Sequence, residues 1–367
     1  MFPTIQSWKR GELAPQEYHT FRDGLWHPVE ARESTIPAAG ATAPRSLQFA
    51  VLSWNIDFMR PEDDARMASA LKHLRGLVAG KPVPSVIMLN EMTKSDLNLI
   101  KQAAWVREGY NITDANTDHW ESASYGTCML LPRTLPLTTI SRLHYPNTSM
   151  ARDGLFADVA LPGGRALRLC TTHLESLRVD PPRRPAQLAA AALHLRQAHA
   201  GILGGDLNAI QEFDEGLPGE CGLRDAYLEG GGREGDEEGM TWGYQSGSGQ
   251  RERYGLGRLD KILFCGGALK LLAFERFGMG VLVEDEGAAS RLVYGDLEKA
   301  WVTDHLGVRA EFRVEVPEEK EGAAEVQDGE TPIVEETPAQ VKTREEGSET
   351  KAEKSPDTQE PAPSTSS

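Results

Sequence analysis

Six short apolar runs in this chain each stop on polar residues: "VLSWNID", "VIMLNE", "LCTTHLES", "ILGGDLN", "GRLD" and "WVTDH". Apolar runs of this length, bounded by turn residues, read as buried strands. A polar end can leave such a strand only at the rim of a core. The strands are therefore expected to deliver Asn55, Asp57, Glu91, His173, Glu175, Ser176, Asp206, Asn208, Asp260, Asp304 and His305 to core edges, where several rims can converge on one pocket. Helical patterns lie between the strands. "DDARMASALKHLRGLV" puts Met67, Leu71, Leu74 and Val78 on one face, a helix is predicted near 94–106, and "RRPAQLAAAALHLRQAHA" reads as a long helix. Strands dominate and no regular internal repeat is present. The pattern predicts an α/β fold with two sheets stacked face to face and helices outside.

Composition limits the partners. Of the net charge of −16, residues 317–367 hold fourteen Asp/Glu against five Lys/Arg, a net of −9, which leaves −7 for residues 1–316. The folded part is only mildly acidic, so a DNA or RNA contact needs a local basic groove. The segment 317–367 is rich in Glu, Pro, Ser and Thr and has little apolar area to offset about 1–2 kcal/mol of backbone entropy per residue, so it reads as an acidic disordered tail. Such a tail solvates the chain or binds other proteins. Residues 1–46 read as a partly ordered N-terminal extension and linker, with Trp8, Tyr18, Phe21 and Trp26 packing on the body. Residues 47–316 read as the main folded domain, which carries the polar strand ends. Residues 213–256, Gly-rich and charged, suggest long loops. No uninterrupted apolar run approaches the roughly 18 residues that a membrane span needs. The N-terminal stretch lacks a basic region followed by an apolar run, so no secretory signal is expected. Cys128, Cys170, Cys221 and Cys265 are scattered, which fits reduced thiols in an intracellular protein.

The polar ends supply carboxylates, amides and imidazoles without a thiolate. That set of hard donors suits Mg²⁺ or Mn²⁺. Taken singly, each motif is weak, and Glu91 or His173 alone reads better as a strand-end or structural residue; their joint occurrence in this order carries the chemistry. In "ILGGDLN", Gly204 and Gly205 are expected to let backbone approach closely beside Asp206.

The ordered set "WNID", "LNE", "HLES", "GDLN", "RLDKI" and "TDH", over roughly residues 47–313, resembles the endonuclease/exonuclease/phosphatase superfamily. Three details are similar to its tyrosyl-DNA phosphodiesterase 2 branch: "WNID", "HLES" followed by Arg184 and Gln187, and "TWGYQ" with Trp242 and Gln245. The resemblance implies a four-layer α/β sandwich with two stacked mixed sheets flanked by helices. It also implies Mg²⁺-dependent hydrolysis of a phosphodiester, with a DNA 5′ end bearing a tyrosine-linked peptide as partner, in a monomer located in nucleus or cytoplasm. Within it, Glu91 holds the metal, assisted through water by Asn55 and Asp304. Asp206 orients and deprotonates the attacking water, and Asn208 positions that water or the phosphate. His305, oriented by Asp260, stabilises the transition state, and His173 makes a second phosphate contact. Asn55, Trp242, Tyr125 and Ser176 face the substrate. For Trp242, base stacking and ordinary loop packing stand equal. The chain departs from the pattern at Asn90, where the superfamily has Gln, and at Ile210, where the branch has a basic residue. Other substrates of the superfamily are a general nucleic acid, poly(A), a phosphoinositide or a sphingolipid. A non-catalytic interaction protein working through its tail is a further reading.

Overall fold

The computed structural model describes residues 8–30, 46–294 and 297–315. The acidic tail expected from residue 317 lies outside the described residues, as does nearly all of the linker expected between 30 and 46. The strands in chain order are β1 (Leu13–Gln16), β2 (Tyr18–Arg22), β3 (Leu25–Val29), β4 (Ser46–Asn55), β5 (Ser85–Met92), β6 (Tyr110–Ile112), β7 (Gly126–Pro132) and β8 (Leu137–His144). They continue with β9 (Asp153–Leu161), β10 (Arg165–His173), β11 (Ala200–Asp206), β12 (Arg224–Asp225), β13 (Asp260–Cys265), β14 (Leu269–Phe277) and β15 (Gly307–Glu315). The α-helices are α1 (Asp63–Val78), α2 (Lys94–Gln102), α3 (Ala104–Gly109), α4 (Arg184–Leu195), α5 (Phe213–Glu220), α6 (Ala226–Glu229), α7 (Ser248–Tyr254) and α8 (Glu286–Tyr294).

The strands form a seven-stranded sheet, β1-β8-β9-β10-β11-β13-β12, and an eight-stranded sheet, β14-β15-β4-β5-β7-β6-β2-β3. Each sheet is mixed, with one parallel pair inside an otherwise antiparallel array: β4 with β5, and β10 with β11. A helix lies in each parallel connection, α1 in the first and α4 in the second, as a parallel crossover requires.

Side-chain alternation builds three apolar layers. On β4, Phe49 and Val51 face the other sheet, where they meet Leu169, Ile202 and Ile262. Ala50, Leu52 and Trp54 face outward onto Met67, Ala70 and Leu74 of α1 and Ala288 and Leu292 of α8. Cys170, Leu203 and Leu263 face outward from the second sheet onto Leu188, Ala191 and Leu195 of α4. The architecture is helix, sheet, sheet, helix, as the sequence pattern predicts. All four cysteines are free and buried. No helix among the described residues is long and apolar enough to cross a membrane.

Two differences from the sequence reading have physical causes. Residues 13–29 are strands of the sheets themselves, β1 on one and β2–β3 on the other. β1 and β3 are edge strands and β2 lies next to the edge; all three are short and largely half-exposed, and Pro28 sits on the outermost one, so no buried-strand pattern marks them. The stretch 213–256 is not all loop. It holds α5, β12, α6 and α7, short elements whose Gly content hides their periodicity.

His144, at the end of β8, is buried against Trp8, with ring centroids 3.6 Å apart. Burial pushes its pKa down to about 4, the pull of Asp153 notwithstanding. A histidine held neutral in this way contributes stability fully above its ordinary value of 6.5 and loses it as pH falls towards about 4. Unfolding of wild type and His144→Phe followed from pH 7 to 4 should therefore show a shallower acid loss in the variant.

Candidate active site

The polar strand ends gather at one end of the sandwich because alternation sends them there. Asn55 has the same parity as Phe49 and Val51, Asn90 as Val86 and Met88, His173 as Leu167 and Leu169, Asp206 as Ala200 and Ile202, and Asp260 as Ile262 and Phe264. Each therefore continues an inward-facing row past the end of the apolar core. Glu91 has the wrong parity. Its backbone corrects this: Glu91 takes φ of 57°, inside a register shift between Leu89 and Met92. A left-handed non-glycine residue at a bulge is a strained and re-aimed position. Asp57 (φ 60°) and Asn208 (φ 47°) are also left-handed, in residue types that tolerate it.

Asp206 is the centre of the cluster. Its Oδ2 accepts the Asn55 amide at 3.0 Å and stands 3.4 Å from His173 Nε2 and 3.8 Å from His305 Nε2. Its Oδ1 accepts the Asn208 backbone N–H at 2.9 Å, and its own N–H donates to Asn90 Oδ1 at 3.0 Å. His305 Nδ1 lies 2.8 Å from Asp260 Oδ2. His173 Nε2 also lies 3.7 Å from Glu91 Oε1, and Glu91 Oε2 accepts the Phe58 N–H at 3.1 Å. The carboxylates of Glu91 and Asp206 and the two imidazoles thus form one connected group.

The two histidines are pushed in opposite directions. Burial alone lowers His305, but the carboxylates of Asp260, Asp206 and Asp304 outweigh it and hold the ring well above its ordinary pKa, as an imidazolium. His173 is driven well below the ordinary value by burial, then by Arg152 and His305. Arg152 Nη1 is 2.6 Å from His173 Nδ1. A guanidinium only donates, so Nδ1 accepts and the proton sits on Nε2, facing Asp206 and Glu91. Burial, with Asp57 adding to it, pushes Glu91 up to about 7.

The glycines answer to protein rather than substrate. A Cβ on Gly204 would lie 2.9 Å from Met88 Sδ and 3.2 Å from Ser53 Cβ on the opposite sheet. On Gly205 it would lie 1.8 Å from the Thr172 carbonyl oxygen on β10. The pair lets both sheets close on Asp206, so that Asn55 and Asn90 reach it. Gly205→Ala should destabilise the fold by about 1–3 kcal/mol or more, as overpacking against backbone does. A denaturant melt checks it.

The remaining expected residues divide. Asp304 Oδ2 accepts the Trp242 indole N–H at 2.8 Å, and Asp304 Oδ1 is 3.9 Å from His305 Nε2. Trp242 is half-buried and fixed by that bond and by an edge contact with Tyr254. Tyr125 stacks on Phe58 at 4.1 Å beside Glu91, and its hydroxyl donates to the Met150 carbonyl. Asn208 donates its amide to the Leu174 carbonyl at 3.0 Å, which anchors the turn under Asp206. Ser176 makes no side-chain hydrogen bond among the described residues. Its neighbour Glu175 turns to Thr148, Ser149 and Gln187. Four contributors escaped the sequence reading: the tie from Asn90 to Asp206, Arg152 behind His173, Arg60 beside Asp57, and Arg66. Arg66, 1 % exposed, donates to the carbonyls of Ile56, Asp57 and Val302, tying the Asn55 turn to the His305 turn.

Asp206, Asp260 and His305 each offer a ligand atom within 4.8 Å of the others. His305 Nδ1 and Asp260 Oδ2 are engaged with each other, and the Asp206 carboxylate accepts two hydrogen bonds, from Asn55 and from the Asn208 N–H. The oxygen-rich side lies towards Glu91.

The sequence profile described as Endonuclease/Exonuclease/phosphatase family matches residues 52–305, from β4 to His305. The chain belongs to this family. Every residue of the cluster lies inside the match. Two curated relatives of this endonuclease/exonuclease/phosphatase chain are 5′-tyrosyl-DNA phosphodiesterases. The one from Caenorhabditis elegans is 27% identical over 64% of this chain and 67% of its own length. The one from Caenorhabditis briggsae is 25% identical over 58% of each, so the chain spans little more than half of that relative. Among solved structures, a humanized D. rerio TDP2 with 14 mutations aligns over 72% of this chain and 98% of its own, with TM-score 0.55 and 21% identity. A truncated Caenorhabditis elegans TDP2 aligns over 72% and 97%, with TM-score 0.53 and 21% identity. At that identity the likeness establishes the fold.

Proposed function

We propose that the chain is a divalent-metal-dependent phosphodiesterase that hydrolyses the link between a tyrosine and the 5′ end of DNA. The observation that carries the reading is the single group formed by Asp206, the neutral His173 and the charged His305–Asp260 pair, with Glu91 at its side.

The donor set fits a Mg²⁺ or Mn²⁺ ion. Glu91 is a buried carboxyl pushed up to about 7, and Asp57 close by is pushed up to about 6 by burial and by Asp304. Buried negative charge here exceeds what the neighbouring cations balance. Glu91 would hold the ion, with Asn55 and Asp304 assisting through water. When bound, the ion supplies charge neutralisation at the phosphate oxygens.

The chain's own residues do the rest. Asp206, aimed by Asn55 and Asn208, takes a proton from the attacking water. The His305 imidazolium, held through Nδ1 by Asp260, presents Nε2–H to the charge that grows on the non-bridging oxygens. His173, its proton fixed on Nε2 by Arg152, donates to the phosphate from the other side. Asn208 positions Asp206 rather than touching substrate, because its amide is held by Leu174. A tyrosyl leaving group has a pKa near 10, which asks little of a general acid, and the cluster needs no strong one. The two tyrosyl-DNA phosphodiesterase relatives favour this substrate, and a D. rerio TDP2 of the same fold is solved with a single-strand DNA product.

The test is a substrate panel: a 5′-phosphotyrosyl oligonucleotide against an abasic duplex, poly(A) and an inositol phosphate, each with and without EDTA. Preferential turnover of the first, abolished by EDTA and restored by Mg²⁺, is the expected result. Preference for another arm, or full activity in EDTA, overturns it.

A further inference from the structure

One buried charge at this site has no part in the steps above. Arg60 lies just past the end of β4, and its side chain is 12% exposed. Its Nε is 2.7 Å from Asp57 Oδ2, its Nη2 donates to the Gln245 carbonyl at 3.3 Å, and Nη2 also stands 3.9 Å from Asp304 Oδ2. Its Nη1 is buried without a hydrogen-bond partner among the described residues. The other Asp57 oxygen accepts the Met59 N–H at 3.1 Å, and Asp304 Oδ2 accepts the Trp242 indole. Both carboxylates thus have protein donors, and a guanidinium stands between them.

We infer that Arg60 is a built-in cation on the Asp57–Asp304 side of the site, where it takes the place of a second divalent ion, so that the site loads one ion only, on Glu91. Two buried carboxylates close together cannot both stay charged without a cation between them. A guanidinium supplies one that is always charged. Without it, Asp57 and Asp304 become a pair of hard oxygen donors of the kind that collects Mg²⁺ or Mn²⁺. The inference rests on the proposed function only in assigning an ion to Glu91.

The experiment counts ions with no substrate present. The full chain is titrated with Mn²⁺, and free Mn²⁺ is read by electron paramagnetic resonance. Differences between variants cancel any weak binding by other acidic segments. Glu91→Gln should bind one ion fewer than wild type. Arg60→Gln should bind one more, and Arg60→Lys the same number. Asp57→Asn should leave the count unchanged, because Arg60 and not an ion holds that carboxylate. An unchanged count in Arg60→Gln with a native circular dichroism spectrum overturns the inference. If Arg60→Gln does not fold, Asp57→Asn decides, and the loss of an ion there overturns it equally. These counts can hold while the substrate panel fails, which would remove the tyrosyl-DNA reading and keep Arg60's part. If Glu91→Gln loses no ion, both fall.

Discussion

Asp206→Asn is expected to fold and melt like wild type and to hydrolyse the 5′-phosphotyrosyl oligonucleotide about 10²–10³-fold more slowly, or worse. That is the scale on which losing one key transition-state contact acts, about 2.7–4 kcal/mol. An asparagine keeps the shape of the turn. It can still accept the Asn208 N–H at Oδ1, and its backbone N–H still donates to Asn90. What it loses is the oxygen that accepts the Asn55 amide and faces both imidazoles, and the ability to take a proton. The loss should fall on kcat, with KM little moved, because nothing that binds the rest of the substrate changes. Single-turnover rates together with a thermal melt check it. Near-normal turnover by a folded variant would remove Asp206 from the chemistry and the proposed mechanism with it.

The largest effect on stability is expected at Arg142, which has no part in the proposed chemistry. Arg142 is fully buried between the sheets. Its Nη2 donates to Asp114 at 2.9 and 3.1 Å, its Nη1 donates to Asp153 at 2.7 Å and to Thr127 at 2.8 Å, and its Nε donates to Gln16 at 3.1 Å. These partners come from both sheets: Gln16 and Asp153 from the seven-stranded one, Thr127 from the eight-stranded one. Arg142→Met keeps the length of the side chain and leaves two buried carboxylates without a cation. Removing one partner of a buried ion network costs about 3–5 kcal/mol, a large part of a typical domain's stability. A urea melt at pH 7 reads this directly. Replacing Asp114 and Asp153 by Asn in the same background should restore part of the loss, since the exposed cost is unpaired charge rather than lost volume.

The sequence carries much of this architecture because the core strands are long and alternate cleanly. From β4 onward, apolar parity names the inner face, and the polar residue that ends each inner row is a site residue: Asn55, His173, Asp206 and Asp260. Glu91 was legible as a strand end but not as an inward group, because a bulge and a left-handed residue turn it there. That conformation leaves no mark in a residue pattern. The strands β1 to β3 carry no such signal, because strands at or next to a sheet edge are short, half-wet and polar. Arg60, Arg66, Arg142 and Arg152 were invisible for another reason. A single arginine in a loop, strand or helix has no spacing signature, and its meaning comes from acceptors far away in the chain, such as Val302 for Arg66 or Asp114 for Arg142. The "GG" before Asp206 does mark a close approach, but the approaching bodies are the protein's own: Met88 and Ser53 of the other sheet at Gly204, and Thr172 of the neighbouring strand at Gly205.

The pairing of β15 with β4 sets the order in which activity can appear on a ribosome. Ser46 is registered against Glu315 and Ser53 against Val308, so this ladder closes a loop of some 250 residues. His305 lies just ahead of β15, and its carbonyl accepts the Trp54 indole N–H at 3.1 Å. A nascent chain can complete the β10–β11 pair and place Asp206 early, yet it stays catalytically silent until the last strand docks. Such distant pairing is slow to nucleate, and until it forms the β4 edge is open to other chains. Expression conditions that slow emergence of residues 300–315 should therefore raise aggregation before they lower the specific activity of what folds.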